Sequence, residues 1–288
     1  MDTGRTPIFC DTELAARIER VEADLIRKAG AAACRRRPDN PGFAIELCGG
    51  VATFAEDGSP FNKVAGLGFG GVPSAAAFEA VERAFAAHGA PIQVELANLG
   101  DPAIGTVLTE LGYRLVGFEN VLGRGIEGDR ERLRPAGIEV RLSGDDEFGA
   151  WIDVVSDGFA HPDDAGVPSH EDFPREVIER AERDFAAAGV VRYAALCDGV
   201  IAGAAGFRIA EGVAQLAGAA TAPAYRRRGI HAALLSARLA DAAAADCDIA
   251  VVTTQPGSKS QQNVQHQGFD LLYTRAVLVK EPRARPSP

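Results

Sequence analysis

The sequence has 288 residues, which suits two domains of ordinary size. Hydrophobic residues make up 47% and charged residues 24%, values typical of a globular protein with a buried core. The net charge is −10, and the dense basic run Arg226–Arg228 is too short for a duplex footprint, so we expect no nucleic-acid partner.

Cysteine usage and the N-terminus point to a soluble, cytoplasmic protein. The 5 cysteines are odd in number and widely spaced, and no Cys-x-x-Cys pair occurs, so the sequence predicts neither a disulfide framework nor a metal site. Asp2, Asp11 and Glu13 interrupt any apolar leader. No stretch approaches the roughly 18 apolar residues of a membrane span, and we expect no membrane partner.

The first half predicts strands that alternate with helices. Apolar positions recur at helical spacing after a potential cap at Asp11-Thr12, and short apolar runs bounded by glycine and proline follow. The predicted helices are 12–36, 74–88 and 102–111, and the predicted strands are 43–54, 64–69, 92–96 and 113–122. The segment 123–137 is rich in glycine, arginine and glutamate, with Pro135 near its end, and is typical of a domain boundary.

The second half repeats this alternation, which predicts an α/β fold in each half. The predicted strands are 138–142, 191–197, 200–208, 212–221, 248–254 and 269–279, and the predicted helices are 145–158, 174–188, 229–245 and 259–266. We place the domains at 1–134 and 135–280, followed by a proline-rich tail, 281–288, that we expect to be disordered.

The two halves echo each other at a period of about 140 residues. Each ends in strand, helix, strand, helix, a glycine followed by an aromatic residue, and a final strand. The corresponding junctions are Leu111-Gly112-Tyr113 and Gln267-Gly268-Phe269. This pattern predicts an internal duplication.

Residues 221–235 carry the most informative motif. A predicted strand ends, a short turn follows, and an apolar helix begins. The first N–H groups of a helix lack partners and carry partial positive charge, so they bind phosphate. Gly229 allows close backbone approach, and Arg226–Arg228 add charge. These features predict an anion site for a pyrophosphate; the alternative is an ordinary strand–turn–helix with solvated arginines.

This motif resembles the signature of the GNAT (GCN5-related N-acetyltransferase) superfamily, (Arg/Gln)-x-x-Gly-x-(Gly/Ala). Arg226 and Gly229 match, whereas His231 stands where the family usually has glycine or alanine. The strand 248–254 and the Gly268-Phe269 pair also resemble the family, and the resemblance covers about half of the chain, 138–280.

The resemblance implies two GNAT-like domains, each a mixed, mostly antiparallel sheet flanked by helices. It also implies that acetyl-CoA, or another acyl-CoA, is the cofactor. Backbone amides of the preceding strand are expected to bind the pantetheine and those of the turn and helix start the pyrophosphate. The implied cofactor-binding residues are Ala219, Ala220, Thr221, Arg226, Arg227, Arg228, Gly229, Ile230, His231 and Ala232.

The corresponding place in the first half, residues 61–85, lacks an Arg-x-x-Gly motif. It is rich in glycine and contains Pro73, which has no N–H to offer a phosphate. We interpret residues 1–134 as a degenerate GNAT-like domain.

The usual catalytic positions of the family are occupied by unsuitable side chains. Where many members have a glutamate base this sequence has Gln215, and where many have a tyrosine acid it has Val264. The remaining candidates are titratable groups near the motif or in the polar loop 160–173, and each has a structural alternative: a hydrated loop, a solvent-facing histidine or a packed aromatic. They are His161, Asp164, His170, His266 and Tyr273.

These observations support an acetyl-CoA-dependent N-acetyltransferase that acts on the amine of a small molecule. The alternative is a catalytically silent acyl-CoA-binding module that regulates or scaffolds, which the substitutions at Gln215 and Val264 favour. An O-acyltransferase or a longer acyl donor is a third possibility, and a homodimer is left open.

Overall fold

The computed structural model describes residues 6–39, 42–126, 131–161, 165–167, 171 and 173–282. Most of the predicted tail 281–288 therefore lies outside the described residues. The helices are α1 (Thr12–Arg36), α2 (Ala75–Ala87), α3 (Pro102–Glu110), α4 (Phe148–Ala160), α5 (Arg175–Ala187), α6 (Ile230–Ala244) and α7 (Lys259–His266). The strands are β1 (Phe43–Leu47), β2 (Gly50–Phe54), β3 (Lys63–Leu67), β4 (Ile92–Ala97), β5 (Arg114–Gly125), β6 (Ile138–Leu142), β7 (Val191–Cys197), β8 (Val200–Ala210), β9 (Val213–Thr221), β10 (Ile249–Thr254) and β11 (Asp270–Lys280).

One predicted element is wrong. The sequence predicts a single strand over 43–54, but the chain forms a hairpin in which β1 pairs antiparallel with β2 and Leu47 faces Gly50. Cys48 and Gly49 make the turn with φ values of 44° and 84°. Two consecutive positive φ angles match the right-handed twist of a hairpin, and the continuous apolar run conceals this turn.

The described chain splits into two compact units made of interleaved segments. The first unit comprises the described parts of Met1–Phe9, Val121–Pro168 and Gly189–Leu272. The second comprises those of Cys10–Asn120, Ser169–Ala188 and Tyr273–Pro288. The predicted domains, 1–134 and 135–280, stay a prediction.

In the first unit, β6, β7, β8 and β9 form antiparallel pairs in that order, and β9 pairs parallel with β10. Helices α4 and α6 cover opposite faces. A β-carbon added at Gly158 of α4 would lie 2.7 Å from the Ala220 Cβ, and one added at Gly203 would lie 2.4 Å from the Ile230 Cγ2 of α6. Because Ala204 pairs with Ala220, the adjacent residue Gly203 faces the other side.

In the second unit, β1, β2 and β3 are antiparallel neighbours, β3 pairs parallel with β4, and β4 pairs antiparallel with β11. Helix α2 contributes Phe78 and Phe85 to a core that also contains Phe54. Helix α1 packs on β3 so closely that a β-carbon at Gly66 would lie 2.8 Å from the Ala23 Cβ. Each unit is therefore a mixed, mostly antiparallel sheet with helices, and the predicted α/β class is confirmed.

The predicted sequence echo has a structural counterpart at the ends of α3 and α7. Tyr113 N donates to Leu108 O at 2.9 Å, and Phe269 N donates to Val264 O at 3.1 Å. The glycine before each aromatic residue has a φ of 85° at Gly112 and 83° at Gly268. Helices α3 and α7 therefore end in the same way. In each, a left-handed glycine allows the next N–H group to bond back to a carbonyl oxygen of the last helical turn.

Over the described residues, no helix combines the length and the apolar composition that a membrane span requires.

The second unit buries an ion-pair cluster beneath α1. Lys63 Nζ lies 2.5 Å from Glu95 Oε1, and Arg275 Nε lies 2.7 Å from Glu19 Oε1. The same Glu19 oxygen accepts a hydrogen bond from the Tyr273 hydroxyl at 2.7 Å. Because α1, β3, β4 and β11 each contribute a charge, the cluster ties four elements together, and removal of one charge strands its partner in the core.

Glu22 and Glu119 add two carboxyl groups beside these ion pairs, so acidic groups outnumber basic ones and the carboxyl pKa values separate. Burial alone would raise the pKa of Glu95, but Lys63 and Arg275 outweigh burial and hold it below its usual value. Burial and the neighbouring Glu95 carboxylate raise the pKa of Glu119 to about 7, against the opposing effect of Lys63 and Arg275. Burial also raises the pKa of Glu22. Two carboxylates close to one another cannot both ionise readily, and Glu119 holds its proton longer.

We expect Glu119→Gln to flatten the pH dependence of stability. The folded state retains a proton on Glu119 that the unfolded chain releases above about pH 4.3. Hence the contribution of Glu119 to the free energy of unfolding falls as the pH rises from about 4.3 towards 7, by up to about 1.4 kcal/mol per pH unit. An amide at this position is neutral at every pH and removes that contribution.

Urea denaturation between pH 5 and pH 8 measures this slope. Glu79→Gln is the control because Glu79 is exposed on α2. An equal slope in wild type and Glu119→Gln would contradict the assigned proton.

Candidate functional site

The site begins where two parallel strands of the first unit part. The paired positions of β9 and β10 run from Val213 and Ile249 to Leu216 and Val252. Beyond them, no further paired positions join the described parts of these two strands. Beyond the paired positions, Thr253 on β10 and Ala219 on β9 are exposed.

A β-bulge in β9 lies at this point. Ala205 of β8 faces Ala219 and the next residue, Gly206, faces Ala217, so Gly218 is the extra residue. Gly218 has a φ of 25°, and both it and Ala219 are exposed. A bulge bends its strand and leaves backbone groups outside the ladder, which opens an edge that a ligand can reach.

The turn after β9 leads into an uncapped helix. The first hydrogen bond within α6 joins Ala233 N to Gly229 O at 2.9 Å, so the N–H groups of Ile230–Ala232 have no acceptor within the helix. Gly229, the N-cap, has no side chain to cap them. Arg227 and Gly229 have left-handed backbone conformations, with φ values of 63° and 86°, and Arg228 between them does not. Such turns direct successive N–H groups into one concavity, which favours an anion.

Two of the three arginines have structural contacts. Arg226 Nη2 donates to the carbonyl oxygen of His161 at 2.6 Å, where α4 ends and its last carbonyls carry partial negative charge. The Arg228 guanidinium lies over the Tyr225 ring, 5.6 Å from its centroid. Arg227 is exposed. Arg226 therefore fixes α4 against the turn.

His231, which stands where the family usually has glycine or alanine, is uncharged at neutral pH. His231 lies in the first turn of α6, and burial together with nearby Arg238 lowers its pKa to about 4. Arg238 itself is buried and donates to the carbonyl oxygens of Leu234 at 3.2 Å and Gly206 at 2.9 Å. His231 thus adds bulk, but no charge, to the helix start at neutral pH.

The two positions where the family often has catalytic side chains are structural in this fold. Gln215 is buried on β9, and its side-chain oxygen accepts a hydrogen bond from Arg208 Nη1 at 2.9 Å. Val264 is buried in the core of the first unit. Neither side chain can exchange a proton at neutral pH.

The other catalytic candidates are dispersed. His161 is exposed at the C-terminus of α4, 3.0 Å from Asp157 Oδ1. His266 is exposed at the end of α7. Tyr273 is buried in the second unit and donates its hydroxyl to Glu19. Asp164 and His170 lie outside the described residues. The structure therefore places only His161, among the described candidates, next to a residue of the motif.

Sequence reasoning missed two residues at this site. Gly218 forms the bulge, and a glycine inside a strand is a signal that indicates one. Pro135 lies 3.6 Å from the position of a β-carbon at Gly229, and no local pattern predicts that approach. Among the cofactor-binding candidates on β9, Ala219 is exposed, whereas Ala220 is buried against α4.

The equivalent turn of the first half is filled by protein. Ser74 caps α2 by accepting a hydrogen bond from Ala77 N at 3.2 Å, which uses a donor that α6 leaves open. A β-carbon at Gly70 would lie 2.4 Å from the Cys48 carbonyl oxygen. The Cys48 carbonyl oxygen therefore lies against the backbone of this turn.

An opened pair of parallel strands followed by a glycine-led, uncapped helix is typical of an α/β domain with a candidate anion site at the helix start. The sequence of residues 159–269 matches the model of the acetyltransferase (GNAT) family. Among curated proteins, none matches the chain in sequence.

Solved structures share the fold over most of the chain. A GCN5-related N-acetyltransferase from Kribbella flavida is 21% identical, with a TM-score of 0.62 over 89% of this chain and 96% of its own. One from Sphaerobacter thermophilus is 15% identical, with a TM-score of 0.57 over 92% and 95%. A tandem GNAT protein from the clavulanic acid biosynthesis pathway is 13% identical, with a TM-score of 0.58 over 83% and 80%. At these identities, the likeness establishes the fold.

We expect Gln215→Ala to impair stability rather than chemistry. The substitution removes an acceptor from buried Arg208, at a cost of about 1–3 kcal/mol in the free energy of unfolding. In contrast, kcat should fall by less than about 100-fold, because the side chain holds no transferable proton. Steady-state kinetics and urea denaturation of the same preparation measure both effects. A loss of kcat above that limit, with KM for acetyl-CoA unchanged, would show that Gln215 acts in the reaction.

Proposed function

We propose that the chain is an acetyl-CoA-dependent N-acetyltransferase that transfers an acetyl group to the amine of a small molecule. The uncapped start of α6 at Gly229 carries this proposal, because it lies inside the region that matches the acetyltransferase family. It follows directly on β9, the strand that parts from β10.

The residues present fit acetyl-CoA. Open N–H groups from Arg227 to Ala232 suit the pyrophosphate, since backbone donors at a helix start bind phosphate without a particular side chain. Backbone groups of Ala219–Thr221, just after the bulge, suit the amide-containing pantetheine arm. Acetyl-CoA supplies the activated acetyl thioester, and the protein supplies orientation and hydrogen-bond donors.

The protein groups available for the transfer step are mainly backbone groups. A developing oxyanion is stabilised by preorganised N–H donors, and the exposed segment at Gly218 and Ala219 is where this fold offers them. The acceptor amine must be neutral to attack. Among the base candidates from the sequence, His161 is described by the structure, is exposed, and lies beside the motif because its carbonyl oxygen accepts the hydrogen bond from Arg226.

A catalytically silent acyl-CoA-binding module is the second candidate. The burial of Val264 and the hydrogen bond between Gln215 and Arg208 favour it, because neither position can serve as acid or base. Release of free thiol from acetyl-CoA, assayed against a panel of small amines, separates the two. Turnover above the rate without amine supports the enzyme, whereas saturable binding with no amine-dependent thiol release supports the module.

We expect Gly229→Asp to abolish acetyl-CoA binding in a folded protein. A carboxylate at the helix start would face the pyrophosphate, and the repulsion between like charges weakens binding by more than about 100-fold. Gly229→Asn is the matched control, because it has the same shape and the same left-handed backbone cost without the charge. A β-carbon at this position has room, since its nearest neighbour would be Pro135 Cγ at 3.6 Å.

Calorimetric titration with CoA measures both variants, and circular dichroism checks their folding. Unchanged affinity in folded Gly229→Asp would contradict the assignment of the pyrophosphate site to the start of α6. Equal loss in both variants would attribute the effect to backbone strain.

We also expect each chain to bind one acetyl-CoA. The predicted duplication suggests two cofactor sites, one in each half. In the first half, however, Ser74 caps α2 and Pro73 lacks an N–H. The Cys48 carbonyl oxygen also lies against the turn at Gly70. Titration at protein concentrations well above the dissociation constant gives the stoichiometry. Two equivalents per chain, or one equivalent that persists in Gly229→Asp, would contradict the claim that the first half has no site.

A further inference from the structure

The segment 131–135, which belongs to the predicted domain boundary, is held against α6. Leu133 N donates to the Ser236 hydroxyl at 2.8 Å. The Arg132 guanidinium forms an ion pair with Asp241, which also accepts a hydrogen bond from the Tyr193 hydroxyl. The segment is therefore anchored at two positions of the helix.

The order of these contacts fixes the direction of the segment. Arg132 contacts Asp241, Leu133 contacts Ser236, and Pro135 approaches Gly229. The chain thus runs antiparallel to α6 and reaches its N-terminus. Arg134 lies between the contact at Ser236 and the contact at Gly229, so its backbone is level with the first turn of α6, where the N–H groups are open.

Two of the three arginines before α6 already have contacts within the protein. Arg226 donates to the His161 carbonyl and Arg228 lies over Tyr225. Arg134 is exposed and forms no ion pair with any residue that the structure describes. Arg227, Arg228 and Arg134 are all exposed, and of these Arg228 lies over the Tyr225 ring. A phosphorylated cofactor would therefore find Arg227 and Arg134 as exposed guanidinium groups that have no ring contact, hydrogen bond or ion pair among the described residues.

We propose that the segment 131–135 is part of the cofactor site and that Arg134 is a specificity-determining residue that binds a phosphate of the cofactor. This inference rests on the proposed function and adds a determinant that lies outside the region matching the family. The anchors at Asp241 and Ser236 make Arg134 a positioned cation, because they restrict the backbone that carries it. A charged hydrogen bond to a phosphate is stronger than a neutral one, and it weakens as salt is added.

Arg134→Gln tests the contact, with Arg83→Gln as the matched control, because Arg83 is exposed on α2 in the second unit. Calorimetry with CoA should give a dissociation constant about 5- to 20-fold higher for Arg134→Gln than for wild type. Arg83→Gln should bind as wild type does. The salt dependence of CoA binding should also be weaker in Arg134→Gln, which a purely structural role would not produce.

Dephospho-CoA, which lacks the 3′-phosphate, identifies the phosphate. If the defect of Arg134→Gln disappears with dephospho-CoA, Arg134 binds the 3′-phosphate; if it persists, Arg134 binds the pyrophosphate. Equal CoA affinity and equal salt dependence in wild type and Arg134→Gln would overturn this inference alone. A wild-type chain that fails to bind CoA would instead overturn the proposed function and this inference together.

Asp241→Asn tests the anchoring. It keeps an acceptor for Tyr193 but removes the charge that holds Arg132. We expect it to weaken CoA binding about 3- to 5-fold in the wild type, and to have no effect in an Arg134→Gln background, because interacting residues are not additive. Equal effects in both backgrounds would show that the anchor does not act through Arg134.

Discussion

The start of α6 is the constraint on which the proposed site depends. A helix that begins at Gly229 leaves the N–H groups of Ile230–Ala232 without intrahelical partners and without a side-chain cap. Asp11, Ser74, Asp101 and Ser258 cap α1, α2, α3 and α7, whereas α4 and α5, like α6, begin without a side-chain cap. What distinguishes α6 is that its uncapped start follows the left-handed Gly229 inside residues 159–269, the region that matches the acetyltransferase (GNAT) family. That combination, rather than the missing cap alone, makes it the candidate anion site.

A site made of backbone groups tolerates side-chain change, which explains two departures from the family pattern. His231 replaces a small residue, yet it is neutral and leaves the helix donors in place. Gln215 replaces a proton acceptor, yet the bulge at Gly218 and the parting of β9 from β10 remain. Under the proposed function, loss of a particular acid or base alters how the proton moves but leaves the backbone groups of the candidate cofactor site in place. This separates cofactor binding from proton transfer.

Much of the fold could be predicted from sequence, because helix caps, apolar periods and glycine-terminated helix ends are local signals. Helix 12–36 and strand 138–142 have the predicted limits. What could not be predicted is non-local. The Cys48-Gly49 turn is hidden in an apolar run, and the approach of Pro135 to Gly229 joins positions far apart in sequence. The cluster of Lys63, Glu95 and Arg275 likewise forms only once three strands are paired.

Hydrogen–deuterium exchange with and without saturating acetyl-CoA tests the central claim most directly, because it reports on the backbone groups themselves. The account predicts slower exchange of the amides in 227–232 and in 217–221, with no change in the equivalent turn at 68–74. Protection that is absent from 227–232 while acetyl-CoA is bound, or protection centred on 68–74, would contradict it.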